Sequence, residues 1–149
     1  EALDQAVGDV GDAFLSRHVA EQEQEFVAAD PGDDVLAARH RLQALADLLT
    51  IRQHVGALQG LTIGWVGDFS NVARSLSLGA VMLGVSVQVA CPPGYGPRDE
   101  DIEHVMTRAR HGARITVTNR PQEAVAGAQV VTDGAAYVEE GKKVRVMER

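Results

Sequence analysis

From residue 35 onward, apolar residues fall into short unbroken runs separated by amphipathic stretches. Leu61 to Val66 reads Leu-Thr-Ile-Gly-Trp-Val, and Val85 to Ala90 reads Val-Ser-Val-Gln-Val-Ala. Runs of this length, with β-branched residues and no sustained polar face, predict strands covered on both sides. Ala113 to Thr118 predicts a third strand and Gln129 to Thr132 a short fourth. Helical spacing fills the intervals. Leu36 to Val55 is Ala/Leu-rich, with Leu42, Leu45, Leu48, Leu49 and Val55 expected near one face, and Gly56 and Gly60 end it. Asn71 to Leu83 predicts a helix stopped by Gly84. Arg98 to Arg110 predicts a polar helix with Ile102, Val105 and Met106 inward. Pro121 opens a short helix at the favoured first position. The segment Cys91-Pro92-Pro93-Gly94-Tyr95-Gly96-Pro97 fits only a loop.

The resulting order, β-α-β-α-β-α-β, implies an α/β fold. The expected form is a three-layer α-β-α arrangement with a mostly parallel, Rossmann-like sheet of four to five strands. In such open sheets ligands sit outside the carboxyl ends of the strands, where strand order reverses. The candidate positions are therefore Gly67, Asp68 and Asn71; Cys91 and Tyr95; Asn119 and Arg120; Thr132 and Asp133. Residues 1–35 read differently. Leu3, Val7, Val10 and Phe14 have helical spacing interrupted by Gly8 and Gly11. Glu21 to Glu25 is a charged run, and Asp30-Pro31-Gly32-Asp33 is a turn or helix stop. The expected organisation is a helical or linker segment over 1–35, a remnant of another domain or a cover, followed by an α/β domain over 36–149.

Composition narrows the function classes. The 149 residues are 45% hydrophobic but only 4% aromatic, so the core is aliphatic. The net charge of −7 argues against a nucleic-acid binder, which needs a basic face. The single cysteine, Cys91, excludes an internal disulfide and a cysteine-cluster metal site and fits a reduced, cytoplasmic setting. The chain opens Glu1-Ala2-Leu3-Asp4, with neither a signal-peptide pattern nor an initiator Met, which is expected of a fragment or a trimmed chain. The uncharged stretch Leu76 to Cys91 is too short and too polar to span a bilayer.

The turn Gly67-Asp68-Phe69-Ser70-Asn71 stands where a dinucleotide binder carries Gly-x-Gly-x-x-Gly. Only Gly67 is present, and no Gly-x-x-x-x-Gly-Lys-Ser/Thr loop occurs. The helix start can bind a carboxylate through free N–H groups, with Asn71 offering both donor and acceptor; the alternative is that Asp68 and Ser70 merely cap the helix. Asp133 can hold an ammonium or guanidinium group, or be a turn aspartate before Gly134. His40 and Gln43 share a helix face and can hydrogen-bond a carbonyl-amide group together, or be a surface pair. His54, His104 and His111 lack metal-ligand spacing, and Cys91 reads as a small buried hydrophobe rather than a nucleophile.

Four ordered segments resemble one family. His40-Arg41-Leu42-Gln43-Ala44-Leu45-Ala46-Asp47-Leu48-Leu49-Thr50-Ile51 is similar to the His-Pro-x-Gln-Ala-Leu-Ala-Asp-Leu-Leu-Thr-Ile segment of ornithine carbamoyltransferases. Trp65-Val66-Gly67-Asp68-Phe69-Ser70-Asn71-Val72 resembles their Trp-Val-Gly-Asp-x-x-Asn-Val. Gly94-Tyr95-Gly96-Pro97 resembles Gly-Tyr-x-Pro, and Glu123 to Asp133 resembles Glu-Ala-Val-x-Gly-Ala-Asp-Val-Val-Tyr-Thr-Asp. The likeness runs over about residues 36–134 and is weaker to the aspartate carbamoyltransferase branch.

The resemblance implies the second, amino-acid-binding domain of a two-domain transferase that makes citrulline from L-ornithine and carbamoyl phosphate. By position, His40 and Gln43 contact the carbamoyl group, Asn71 holds the amino-acid end of ornithine, and Asp133 pairs with its α-amino group. The implied reaction needs no metal or organic cofactor; orientation and donors aimed at the developing oxyanion carry it. Several family features differ or are missing. Arg41 replaces the motif Pro, and Tyr137-Val138-Glu139 stands where the family has Ser-Met-Gly. The carbamoyl-phosphate loop Ser-x-Arg-Thr-Arg and the His-Cys-Leu-Pro motif do not occur in the sequence. The expectation is a chain that binds L-ornithine or a related amino acid, is inactive alone, contacts neither nucleic acid nor membrane, and can form a homo-oligomer. The alternatives are a diverged non-catalytic relative that binds an amino acid or a protein, and a Rossmann-like nucleotide-binding module.

Overall fold

The computed structural model describes residues 35–134 and 145–146. The expectations for residues 1–34 and for Tyr137-Val138-Glu139 lie outside the described residues. The elements are α1 (Val35–Val55), β1 (Thr62–Gly67), α2 (Asn71–Met82), β2 (Ser86–Ala90), α3 (Asp99–Thr107), β3 (Ile115–Thr118), α4 (Pro121–Val125), β4 (Val130–Gly134) and β5 (Arg145–Val146). They form one five-stranded sheet in the order β3-β2-β1-β4-β5. β1 to β4 are parallel and β5 pairs antiparallel with β4. The α/β fold expected from the sequence is thus present, with a closing antiparallel strand that the sequence pattern did not mark.

Strand order steps outward from β1 to β3 and then returns across β1 to β4. Right-handed crossovers place α2 and α3 on one face and α4 on the other. The side chains agree. Ile63, Trp65, Val87 and Val89 belong to one buried cluster with Ala44, Leu48, Leu76 and Ala80. Gly64 and Gln88, paired in register, face the opposite way toward α4. A Cβ on Gly64 would lie 2.6 Å from the Ala124 carbonyl oxygen, so only glycine lets α4 sit this close. With its amide nitrogen turned toward α4, Gln88 donates to the Ala124 and Ala126 carbonyls at 2.9 and 3.1 Å. That satisfies acceptors a helix end leaves open and explains a polar residue within an apolar strand. Gln129 does similar work at the start of β4: it accepts from the Thr62 N–H at 2.8 Å and donates to the Gly127 carbonyl at 2.8 Å.

Two inward faces differ from the sequence expectation. On α1 the buried residues are Arg41, Ala44, Leu48 and Ile51, whereas Leu42 and Leu49 are 56% and 38% exposed. Those four positions follow i, i+3, i+7, i+10, which is the true helical stripe; Leu48 lies on it, and Leu42 and Leu49 lie off it. On α3, Val105 is fully buried but Met106 is 40% exposed, although its sulfur accepts from the Ile115 N–H at 3.5 Å. α3 also ends earlier than expected. The Arg110 N–H donates to the Val81 carbonyl at 3.0 Å, and His111 and Gly112 adopt positive φ to turn the chain into β3.

Candidate functional site

The strand order reverses between β1 and β4, so the crevice outside their carboxyl ends is the expected ligand position. Gly67 ends β1 with φ 141°, a backbone conformation that favours glycine, and the chain turns sharply there. Ser70 follows in extended conformation as the N-cap of α2, its hydroxyl accepting from the Ala73 N–H at 3.5 Å. Asn71 is the first residue of α2 and is exposed.

The turn is held from two sides. The indole N–H of buried Trp65 donates to the Asp68 carbonyl at 3.1 Å. The Phe69 N–H donates to the Tyr95 carbonyl at 2.8 Å, which ties the turn to the loop after β2. That loop is braced by the Tyr95 N–H to the Pro92 carbonyl, 3.0 Å, and by the Cys91 N–H to the Thr118 carbonyl, 3.1 Å. Cys91 is buried at its base. Burial first, and then the negative charge of Asp68, push its thiol above the ordinary value, so it stays protonated at neutral pH. This matches the reading as a small hydrophobe.

Asp133 lies inside β4, with its Cα opposite Val66, and Gly134 is opposite Gly67. Its backbone is therefore that of a strand and not of a turn, and the fourth strand runs two residues further than expected. Asn71 and Asp133 thus flank the reversal point. Cys91 and Tyr95 border it through the loop after β2. Asn119 and Arg120 stand apart, beyond β3 at the sheet edge. There Arg120 is engaged at the start of α4: its N–H meets the Thr118 hydroxyl at 3.1 Å and its guanidinium meets Glu123 at 3.2 Å. The Thr118 hydroxyl also donates to Glu123. That bond, with the Arg120 charge, holds the Glu123 carboxyl below its ordinary value.

His40 and Gln43 are half-buried near the start of α1. α1 packs along α2, and its far end leads through a short loop into the amino end of β1, where the Gly60 N–H meets the Gly84 carbonyl at 2.9 Å. The start of α1 accordingly points toward the carboxyl-end side of the sheet, the side that carries Asn71 and Asp133. Arg41, where the family motif has Pro, is buried within the helix.

One charged cluster joins α2 to α3 beside the turn. Asp101 accepts from the Arg98 N–H and Nε at 3.1 and 3.2 Å and pairs with Arg74 at 2.9 Å. Burial pushes its carboxyl up, but the Arg98 hydrogen bonds and the Arg74 and Arg98 charges together hold it below the ordinary value. Sequence reasoning did not find this cluster, nor the roles of Trp65, Gln88 and Gln129. Their partners are distant in sequence or are backbone atoms. For Trp65 the signal present was its lone occurrence in a strand directly before the Gly-Asp turn.

Residues 59–147 match the family described as aspartate/ornithine carbamoyltransferase, Asp/Orn binding domain. The ornithine carbamoyltransferase of Carboxydothermus hydrogenoformans is 44% identical over 116 residues, which cover 73% of this chain and 37% of that protein. The mitochondrial ornithine carbamoyltransferase of Aquarana catesbeiana is 36% identical over 145 residues, covering 92% of this chain and 41% of that one. Among solved structures, ornithine carbamoyltransferase from Pyrococcus furiosus superposes with a TM-score of 0.58 at 37% identity, over 61% of this chain and 29% of that chain. The chain thus spans about two fifths or less of the relatives it matches. No helix among the described residues is long and apolar enough to cross a membrane. With the matched residues covering β1 to β5, and with the Trp-Val-Gly-Asp turn and Asp133 on either side of the strand reversal, this chain belongs to the aspartate/ornithine carbamoyltransferase family through its Asp/Orn binding domain.

Proposed function

We propose that this chain is the amino-acid-binding half of an ornithine carbamoyltransferase-type enzyme, and that it takes L-ornithine in the crevice between β1 and β4. Asn71 holds the amino-acid end of the substrate, assisted by the free N–H groups at the start of α2, which favour a carboxylate. Asp133 pairs with the α-amino group. His40 and Gln43 hydrogen-bond the carbonyl oxygen of the carbamoyl group of carbamoyl phosphate. In the reaction, the neutral δ-amine of ornithine forms a bond to the carbamoyl carbon. The bond from that carbon to the phosphate oxygen breaks, phosphate takes the electron pair, and the amine loses a proton. The contribution of this chain is orientation of the amine and stabilisation of the oxyanion. The carbamoyl-phosphate loop is supplied by another polypeptide segment, since Ser-x-Arg-Thr-Arg does not occur in this sequence. The setting is cytoplasmic.

The observation that carries this reading is the register of β4 on β1, which sets Asp133 beside the Gly67-to-Asn71 turn across the strand reversal. The test is thermal unfolding with saturating L-ornithine, with NAD as the control ligand. A ligand at about 100 times its Kd adds about 2.7 kcal/mol to the folded state, or several degrees for a domain of this size. A shift with ornithine alone supports the assignment, and a shift with NAD alone replaces it with nucleotide binding. A cooperative melt that neither ligand moves favours the second reading, a diverged non-catalytic relative. Arg41 in place of the motif proline speaks for that second reading.

A further inference from the structure

We propose that Trp65 is a positioning residue for the amino-acid site: its indole N–H fixes the peptide plane from which Asn71 is launched. The Asp68–Phe69 peptide unit is gripped at both of its polar atoms. Its carbonyl accepts from Trp65 Nε1 at 3.1 Å, and its N–H donates to the Tyr95 carbonyl at 2.8 Å. The two grips come from different elements, one from a side chain of the central strand and the other from the loop after β2. A peptide unit held at one atom can rotate about that bond; held at both, it has one orientation. Gly67, at φ 141°, takes up the change of direction just before it. Ser70 and Asn71 follow within three residues, so the plane sets the direction in which the Asn71 amide enters the crevice.

Trp65 is suited to this role and is not needed to touch a ligand. It is 1% exposed, packed in the main core cluster, and its buried N–H must find an acceptor. Phenylalanine would fill most of the same space but leave the Asp68 carbonyl free to turn. The proposal rests on the assignment of Asn71 to the substrate, and the test separates the two.

The variants are Trp65→Phe and, as a closer isostere, 3-benzothienylalanine at position 65, where sulfur replaces the N–H. The first readout needs no ligand. Amide hydrogen exchange at Phe69 should rise about 3- to 10-fold, the scale of one hydrogen bond, while Leu76 and the β1 amides keep their rates. The second is L-ornithine affinity by calorimetry. Each variant should weaken it about 3- to 10-fold in the presence of Asn71 and have little further effect in an Asn71→Ala background. A uniform rise at all amides would mean that Trp65 only supports the core, and would overturn the proposal. So would unchanged exchange at Phe69, or losses that multiply with those of Asn71→Ala. If exchange rises locally but the unaltered protein binds no ornithine, the positioning stands and the substrate assignment falls.

Discussion

Gly64 is closely surrounded, with the Ala124 carbonyl oxygen 2.6 Å from where a Cβ would stand and the Ala128 side chain at 3.3 Å. α4 is only five residues long and cannot be moved without disturbing the Gln88 bonds to its last carbonyls. Gly64→Ala should therefore cost about 1–3 kcal/mol, the usual range for overpacking, read as a lower urea midpoint. Gly96→Ala is the control: its added methyl would meet only Cys91 at 3.8 Å, and stability should change by less than about 0.5 kcal/mol. At this scale the sequence was partly readable. Gly67, Asp68, Asn71 and Asp133 were singled out from strand ends alone. The roles of Gln88 and Gln129 were not readable, because partners of each belong to other elements.

For elements, the sequence placed α1 through β4 within a few residues and had Leu48, Ile102 and Val105 inward, but put Leu42, Leu49 and Met106 on the wrong side. α1 has leucine or alanine on nearly every side, so it offers little polar contrast to mark the inward stripe. The structure chooses Ala44, Leu48 and Ile51. Leu48→Ala should cost about 2–5 kcal/mol, and Leu42→Gln no more than about 0.5 kcal/mol; reversal of that order in denaturant melts would refute the assigned faces. α2 and α3 are joined through Asp101. Its carboxyl titrates below the ordinary 3.8 in the folded state, so the stability it contributes is complete above that value and is lost as pH falls through the folded value. Asp101→Ala should cost about 1–2 kcal/mol at neutral pH, allowing for the solvent exposure of Arg98 and Arg74. The difference from the parent protein should begin to shrink only as pH falls below about 4 and vanish below the folded value, as followed by circular dichroism.

On the scale of the molecule, the parallel sheet was legible because three crossovers leave an alternating pattern in the sequence. The closing strand β5 was not, since Arg145–Val146 is two residues long and pairs antiparallel across an interval without such a pattern. Four ordered motifs also pointed to the family, whereas each alone occurs widely. The chain has no Ser-x-Arg-Thr-Arg segment to hold a phosphate leaving group. We therefore expect no citrulline formation above background when the purified chain is given L-ornithine and carbamoyl phosphate, measured colorimetrically.

The position of β1 between β2 and β4 also orders events in time. Its pairing with β2 closes through a single helix, and β2 meets the start of β3 across 28 residues, as between Ser86 and Arg114. The junction of β1 with β4 spans 67 residues, as between Thr62 and Gln129. Loop closure of that length is the more costly in chain entropy, so the crevice between Asn71 and Asp133 is completed late, on an already formed β1-β2 ribbon. A molecule that bridges the two sides of the crevice then acts on contacts absent from the earlier assembly. It slows the opening of the finished protein and leaves the rate at which the chain first folds almost unchanged.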